Sequence, residues 1–164
     1  MQNQLSIQLP ETLVELVNEH AFENYTTVGS NEEAKSRLGQ LAAEDLFPDG
    51  IGDFDMAACC VSGIWLLHNF LHKSHDISQE VHTAEGSFWH AIMHRLEGDF
   101  WNSKYWYRKV GNHPTFEKIE RNWNPEHYVD QCETAHQSGS PTDVQATAIA
   151  EWKALFEYCF VNAQ

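Results

Sequence analysis

The chain has 164 residues, the size of one domain, and at this length about 70 % of the unfolded surface can be buried without disulfide or metal staples. An apolar fraction of 42 % with 12 % aromatics predicts a packed interior and excludes intrinsic disorder. Ten Lys and Arg against 24 Asp and Glu leave a formal charge of −14. Such a surface repels phosphate backbones and anionic lipid, so nucleic acid and membrane are excluded as partners, while a metal ion or a neutral small molecule is attracted more easily.

The four cysteines, Cys59, Cys60, Cys132 and Cys159, include no CxxC pair, and Cys59 and Cys60 sit in an apolar run where a thiol acts as a small hydrophobe. The opening MQNQLSIQLPETL lacks the basic-then-apolar pattern of a secretory leader. The longest apolar stretch, Met56 to Leu67, is 12 residues, short of the ~20 needed to cross a bilayer. A cytoplasmic home with reduced thiols is the expectation.

In chain order the pattern is helical, with no alternating strand. Pro10 leads into ETLVELVNEHAF, where Leu13, Leu16 and Val17 share a stripe. Asn31 can cap NEEAKSRLGQLAAEDLF, and FPDGIGD is a breaker. Asp53 caps a long apolar helix to about Lys73. Thr83 caps the next, through Trp89 to Glu97; Gly98 ends it, and Asp99 caps another that stops at Gly111. Pro114 and Pro125 open two more, the second running to about Ala135. Ser140 with Pro141 then starts the last helix, whose stripe is Ile149, Trp152, Leu155, Phe156, Cys159 and Phe160. The expectation is a single all-α domain over residues 1–164, a compact array of about seven helices, with the Asp53–Lys73 and Ser140–Ala163 helices supplying most of the core.

Two helices carry polar stripes of unusual content. His68, His72 and His75 lie at i, i+4 and i+7, and His90, His94 and Glu97 repeat that spacing. At 100° per residue each trio falls within about 60° of arc, so each shares one face. Two imidazoles one turn apart can ligate a metal, and a further donor can complete a facial trio. The metal-ligating candidates are therefore His90, His94, Glu97 and His75, with a divalent transition metal as the implied cofactor. The stripe of His90, His94 and Glu97 borders the apolar side formed by Phe88, Trp89, Ile92, Met93 and Leu96, where half-burial shifts pKa values usefully. As a catalytic set, His90 and His94 would be ligands or acid/base groups, Glu97 a third ligand or base, and Arg95 an anchor for a substrate anion. Asp99, Asn102, Lys104 and Tyr105 can reach the same cleft. Trp89, Trp101 and Trp106 can wall it for a ring or sugar-like ligand. His-x-x-x-His recurs by chance in a chain with ten His, and the Glu of a zinc-protease HExxH is missing. Ser78, Ser87 and Cys132 lack the signature of an activated nucleophile.

The stretch GSFWHAIMHRLEGDFWNSKYWYRKVGNHP resembles one tetratricopeptide-type helical hairpin. Gly98 and Asp99 stand at its turn, Ser103, Tyr107 and Val110 at packing positions of its second helix, and Pro114 near its closing proline. The longer segment SHDISQEVHTAEGSFWHAIMHRLEGDFWNSKYWYRKVGNHP, Ser74 to Pro114, is similar to a group of bacterial and fungal proteins of uncharacterised function. It departs from that group's commonest form at Leu96, Trp101 and Ser103. The likeness implies a shared helical fold and a shared site, and no named activity. Three functional readings follow from the residues: a small-molecule or metal-dependent pocket with hydrolytic or lyase-type chemistry, a non-catalytic helical interaction domain, and a homo-oligomer whose histidine stripes meet at a pH-sensitive interface.

Overall fold

The computed structural model describes residues 5–27 and 29–164, all helix, turn or coil without a strand. The first four residues of the stretch read for a leader lie outside the described residues. In chain order the helices are α1 (Glu11–Val14), α2 (Glu19–Asn24), α3 (Lys35–Gln40), α4 (Ala43–Leu46), α5 (Phe54–Leu67), α6 (Leu71–Ser78), α7 (Ala84–Leu96), α8 (Phe100–Val110), α9 (Phe116–Ile119), α10 (Pro125–Ser138) and α11 (Gln145–Asn162), with a 3-10 turn at Pro141–Val144 before the last. The all-α expectation is met, but three of the expected helices are each broken in two, which raises the number of segments. No described helix is long and apolar enough to cross a membrane.

Side-chain capping sets several of the helix starts. The side chains of Asp53, Thr83, Asp99 and Asn124 accept from the backbone N–H three residues on, at 2.9–3.3 Å, satisfying otherwise orphaned donors. Gly98 ends α7 at φ +87, and the N–H of Asp99 reaches back to the carbonyl of His94 at 2.9 Å, closing the last turn. Ser140 makes no side-chain cap; Pro141 opens the 3-10 turn instead, and α11 starts only at Gln145.

The expected Asp53–Lys73 helix is the most consequential break. Asn69 adopts φ +62, and the N–H of Phe70 bonds the carbonyl of Trp65 at 3.1 Å, the same closure as at Gly98. The chain then restarts as α6 at Leu71, which packs back against α5. His68, His72 and His75 therefore do not share a helical face. His68 is buried, its Nε2–H donating to the Leu16 carbonyl at 2.8 Å and its Nδ1 accepting from Asn31 at 3.1 Å. His72 is exposed. Only His75 turns toward α7.

The core is arranged around α7, which packs against α5, α6 and α8. Every residue from Phe88 to Arg95 is buried. The Asp53–Lys73 and Ser140–Ala163 segments do contribute α5 and α11, but α7 between its neighbours is as deeply covered as either. Cys59, Cys60 and Cys159 are wholly buried free thiols in this core. Trp89 lies against α5 at Gly63, where a β-carbon would meet its ring at 2.7 Å, and Trp152 of α11 donates Nε1–H to the Gly63 carbonyl at 2.7 Å. Ser62 of α5 bonds the hydroxyl and the carbonyl of Ser74 at 2.9 and 3.0 Å, holding α6 close. Gly63→Ala, ordinarily favourable inside a helix, is expected to destabilise the protein by about 1–3 kcal/mol through overpacking. A urea titration monitored by tryptophan fluorescence measures this, and an unchanged or raised midpoint would contradict the packing described.

Candidate functional site

Position along α7 decides which way each polar side chain of the helix points. His90 and His94, one turn apart, face α6 and α8. His75 of α6 completes a trio whose candidate ligand nitrogens all lie within 4.8 Å of one another. The ring centroids of His75 and His90 are 4.5 Å apart, those of His90 and His94 4.8 Å, and those of His75 and His94 5.8 Å. His90 and His94 are buried and His75 is half-buried. Nitrogens bonded at 2.0–2.1 Å to a tetrahedral ion sit about 3.3 Å apart, so modest side-chain rotation brings this trio onto one ion.

α8 supplies the wall opposite. Helices α7 and α8 pack in register, with Asn102 beside His94, Trp106 beside His90, and the buried Ser103 hydroxyl donating to the Ala91 carbonyl at 2.7 Å. The Trp106 ring lies on His90 with centroids 4.0 Å apart, and the ammonium of Lys109 lies 4.6 Å from the Trp106 ring centre. The Ser78 hydroxyl stands 3.5 Å from Nδ1 of His90. At His94 the network assigns the tautomer: Nδ1–H donates to Glu97 Oε1 at 2.6 Å, and Nε2 accepts from the Asn102 amide at 3.1 Å. Glu97 therefore orients the imidazole, as a carboxylate does behind a metal-ligating histidine.

Burial keeps His90, the middle of the trio, unprotonated near neutral pH. Burial, then the neighbouring His94, His75 and Lys109, depress the His90 pKa to about 4. A neutral imidazole at physiological pH is the form that ligates metal.

The other candidates divide. Asn102 contacts His94 as expected, and Asp99 lies beside Glu97 and His94, close enough that these three could also share an ion, although Glu97 and Asp99 are exposed. Tyr105 is on the outer side of α8, edge-on to Trp106 with centroids 5.6 Å apart. Lys104 instead pairs with Asp130 of α10. Two expectations fail by direction. Arg95 is not an anchor for substrate: it points away from the imidazoles into a buried ion pair with Glu151 of α11, with Nη1 3.1 Å from Oε1 and 2.6 Å from the Tyr107 hydroxyl. Trp89 is not a wall of the site, being fully buried against Gly63 and Trp152.

No protein-family model, curated protein or solved structure matches this chain.

A second buried pair went unread in the sequence. His113 Nε2 lies 3.2 Å from Glu85 Oε1 at the start of α7, while its Nδ1 is 2.8 Å from the Thr115 hydroxyl. The His113 contact holds the Glu85 carboxyl below its usual pKa. The pair ties the segment after α8 back to α7. Twenty-eight residues separate its members, a distance at which no helical spacing brings them together.

The sign of the pH dependence follows from His90. Its folded pKa lies below the unfolded value near 6.5, so its contribution is fully present above that value and is lost as pH falls toward about 4. Metal-free protein should lose up to about 3 kcal/mol from this group across that window. His68, also depressed by burial, adds in the same direction. Urea midpoints at pH 7 and pH 4.5 should differ less for His90→Asn than for the parent. Equal slopes in both proteins would count against a buried neutral His90.

Proposed function

We propose that the protein is a metal-dependent helical protein, holding one divalent transition metal ion on His75, His90 and His94. The observation that carries this reading is the convergence of three imidazoles from two helices, with all candidate ligand nitrogens within 4.8 Å. Three neutral nitrogen donors suit zinc and its neighbours, and leave a fourth position for water or substrate. The chemistry such a centre supports is hydrolytic or lyase-type. An ion held by His75, His90 and His94 would supply Lewis acidity for that chemistry. Glu97 sets the orientation of His94 and raises its basicity as a ligand, and with a side chain 35 % exposed it can also pass a proton to solvent. Trp106 and Lys109 hold His90 dry and uncharged, which favours the ligating form.

Purified protein stripped with chelator and titrated with Zn²⁺ and Co²⁺ should take up one equivalent. The Co²⁺ form should show the absorption of a tetrahedral ion. His90→Ala and His94→Ala should abolish uptake, and Glu97→Gln should weaken it by about 10–100-fold. Uptake that survives both histidine substitutions, or no uptake at all, defeats the reading.

The requirement for unprotonated ligands adds a further expectation. Zn²⁺ affinity should fall as pH drops below about 6, because protons compete for the imidazoles. Calorimetric titrations at pH 7.5 and 5.5 measure it, and a pH-independent affinity would point to carboxylate ligands.

A further inference from the structure

On the side of α7 turned away from the imidazoles, a cavity of about 100 Å³ opens between the chain after α2, the last turn of α7, α10 and the start of α11. Its rim carries the exposed His136 and Pro141. Inside, Leu96, Phe100, Val144 and Ala148 form apolar walls, and Thr26 and Arg95 form polar ones. Benzene fills an engineered cavity of about 150 Å³ in another protein, so a space on this scale takes a molecule of about four to six heavy atoms.

The polar groups around this cavity include donors without acceptors. The hydroxyl oxygens of Tyr25 and Thr26 are buried, and neither has a hydrogen-bond partner among the described residues. Tyr25 is wholly buried in the field of Arg95, Glu151 and Cys132, and burial raises its pKa, so its O–H stays a donor. The Arg95 guanidinium has five N–H groups and commits three, two to Glu151 and one to the Tyr107 hydroxyl. Donors left unpaired at this depth are costly, so the site is suited to an accepting oxygen. Thr26 is also held at φ +70, which a β-branched residue rarely adopts, and strain of this kind concentrates at ligand sites.

The surroundings say what carries that oxygen. An ordered water needs about 2–4 polar partners, which the walls of Leu96, Phe100, Val144 and Ala148 do not offer. A short apolar body fits those walls. A carbonyl oxygen accepts two hydrogen bonds and brings no donor of its own to satisfy. The charge of Arg95 is already matched by Glu151, with both side chains almost completely buried, so the ligand needs no charge.

We infer that this cavity binds a small neutral molecule whose carbonyl oxygen accepts from Thr26 and Arg95 while its apolar body packs on Phe100 and Val144. The site is separate from the imidazole trio and needs no metal.

The test uses the full-length chain treated with chelator and two pairs of probes. Cyclopentane lacks only the oxygen of cyclopentanone, and isobutyrate puts a charge on nearly the shape of methyl isopropyl ketone. The readout is the methyl signals of Val144 and Ala148 in a ¹H–¹³C NMR titration. Both ketones should shift these signals saturably at millimolar concentration, and each should bind about tenfold more tightly than its counterpart. Thr26→Val keeps the branched shape and removes the hydroxyl. It should weaken both ketones about three- to tenfold and leave cyclopentane unaffected, whereas Thr26→Ser should retain ketone binding.

No saturable shift from either ketone at tens of millimolar overturns the inference, since the cavity then holds water alone. Cyclopentane binding as tightly as cyclopentanone overturns it as well, because the accepting oxygen would then count for nothing. Isobutyrate binding more tightly than methyl isopropyl ketone overturns it in favour of an anion site. Ketone binding that Thr26→Val leaves unchanged has the same result.

Discussion

The buried ion pair between Arg95 and Glu151 fixes the rotation of α7, and the rest of the molecule depends on that rotation. Both side chains are buried almost completely, and the pair is bracketed by the Tyr107 hydroxyl and the ring of Tyr128, 4.6 Å from the guanidinium. Burial opposes the charge on Arg95, but Glu151 and the adjoining tyrosines outweigh it and keep the guanidinium ionised. A buried pair of this kind gains little over a well-packed apolar pair, yet exposing or orphaning either charge is very costly. Its effect is thus directional. With Arg95 held toward α11, His94 and His90 have no choice but the opposite side, toward α6 and α8.

The same helix therefore separates two chemical environments. On one side lies a closed ionic cluster, in which the tyrosine hydroxyls of Tyr107 and Tyr128 are kept protonated by burial. On the other lies a set of imidazoles with Glu97 and Asp99 beside His94 and Lys109 behind Trp106. Burial, then the neighbouring His94, His75 and Lys109, depress the pKa of His90, and the Glu97 carboxylate holds His94 in one tautomer. Both effects leave an unprotonated ring nitrogen, which at His94 accepts from the Asn102 amide.

Backbone geometry brings in the third imidazole. If the chain had continued helically through Asn69, His75 would have travelled with His68 and His72. The left-handed turn at Asn69 and the Ser62–Ser74 contact fold α6 against α5 instead, leaving His75 beside His90. α8 is placed by small-residue packing at Ser103 and by the closure at Gly98. It brings Trp106 and Asn102 to the imidazoles and leaves Trp101 and Tyr105 on its outer side.

From the sequence alone came the all-helical class, the caps at Asp53, Thr83 and Asp99, the stop at Gly98, and the pairing of His90 with His94. All of these depend on neighbours within one or two turns, where residue type and spacing are sufficient. His75 was among the candidate ligands for the wrong reason, as part of a stripe that the Asn69 turn dismantles; an Asn in an apolar run is a weak stop signal. The tertiary structure alone decided that Arg95 would be sequestered by Glu151, 56 residues away, that Trp89 would fill the space over Gly63, and that Glu85 would meet His113. Helical periodicity gives the angle between side chains on one rod. It carries no information about which neighbouring rod each side chain will face, because that depends on long-range burial of charge and volume.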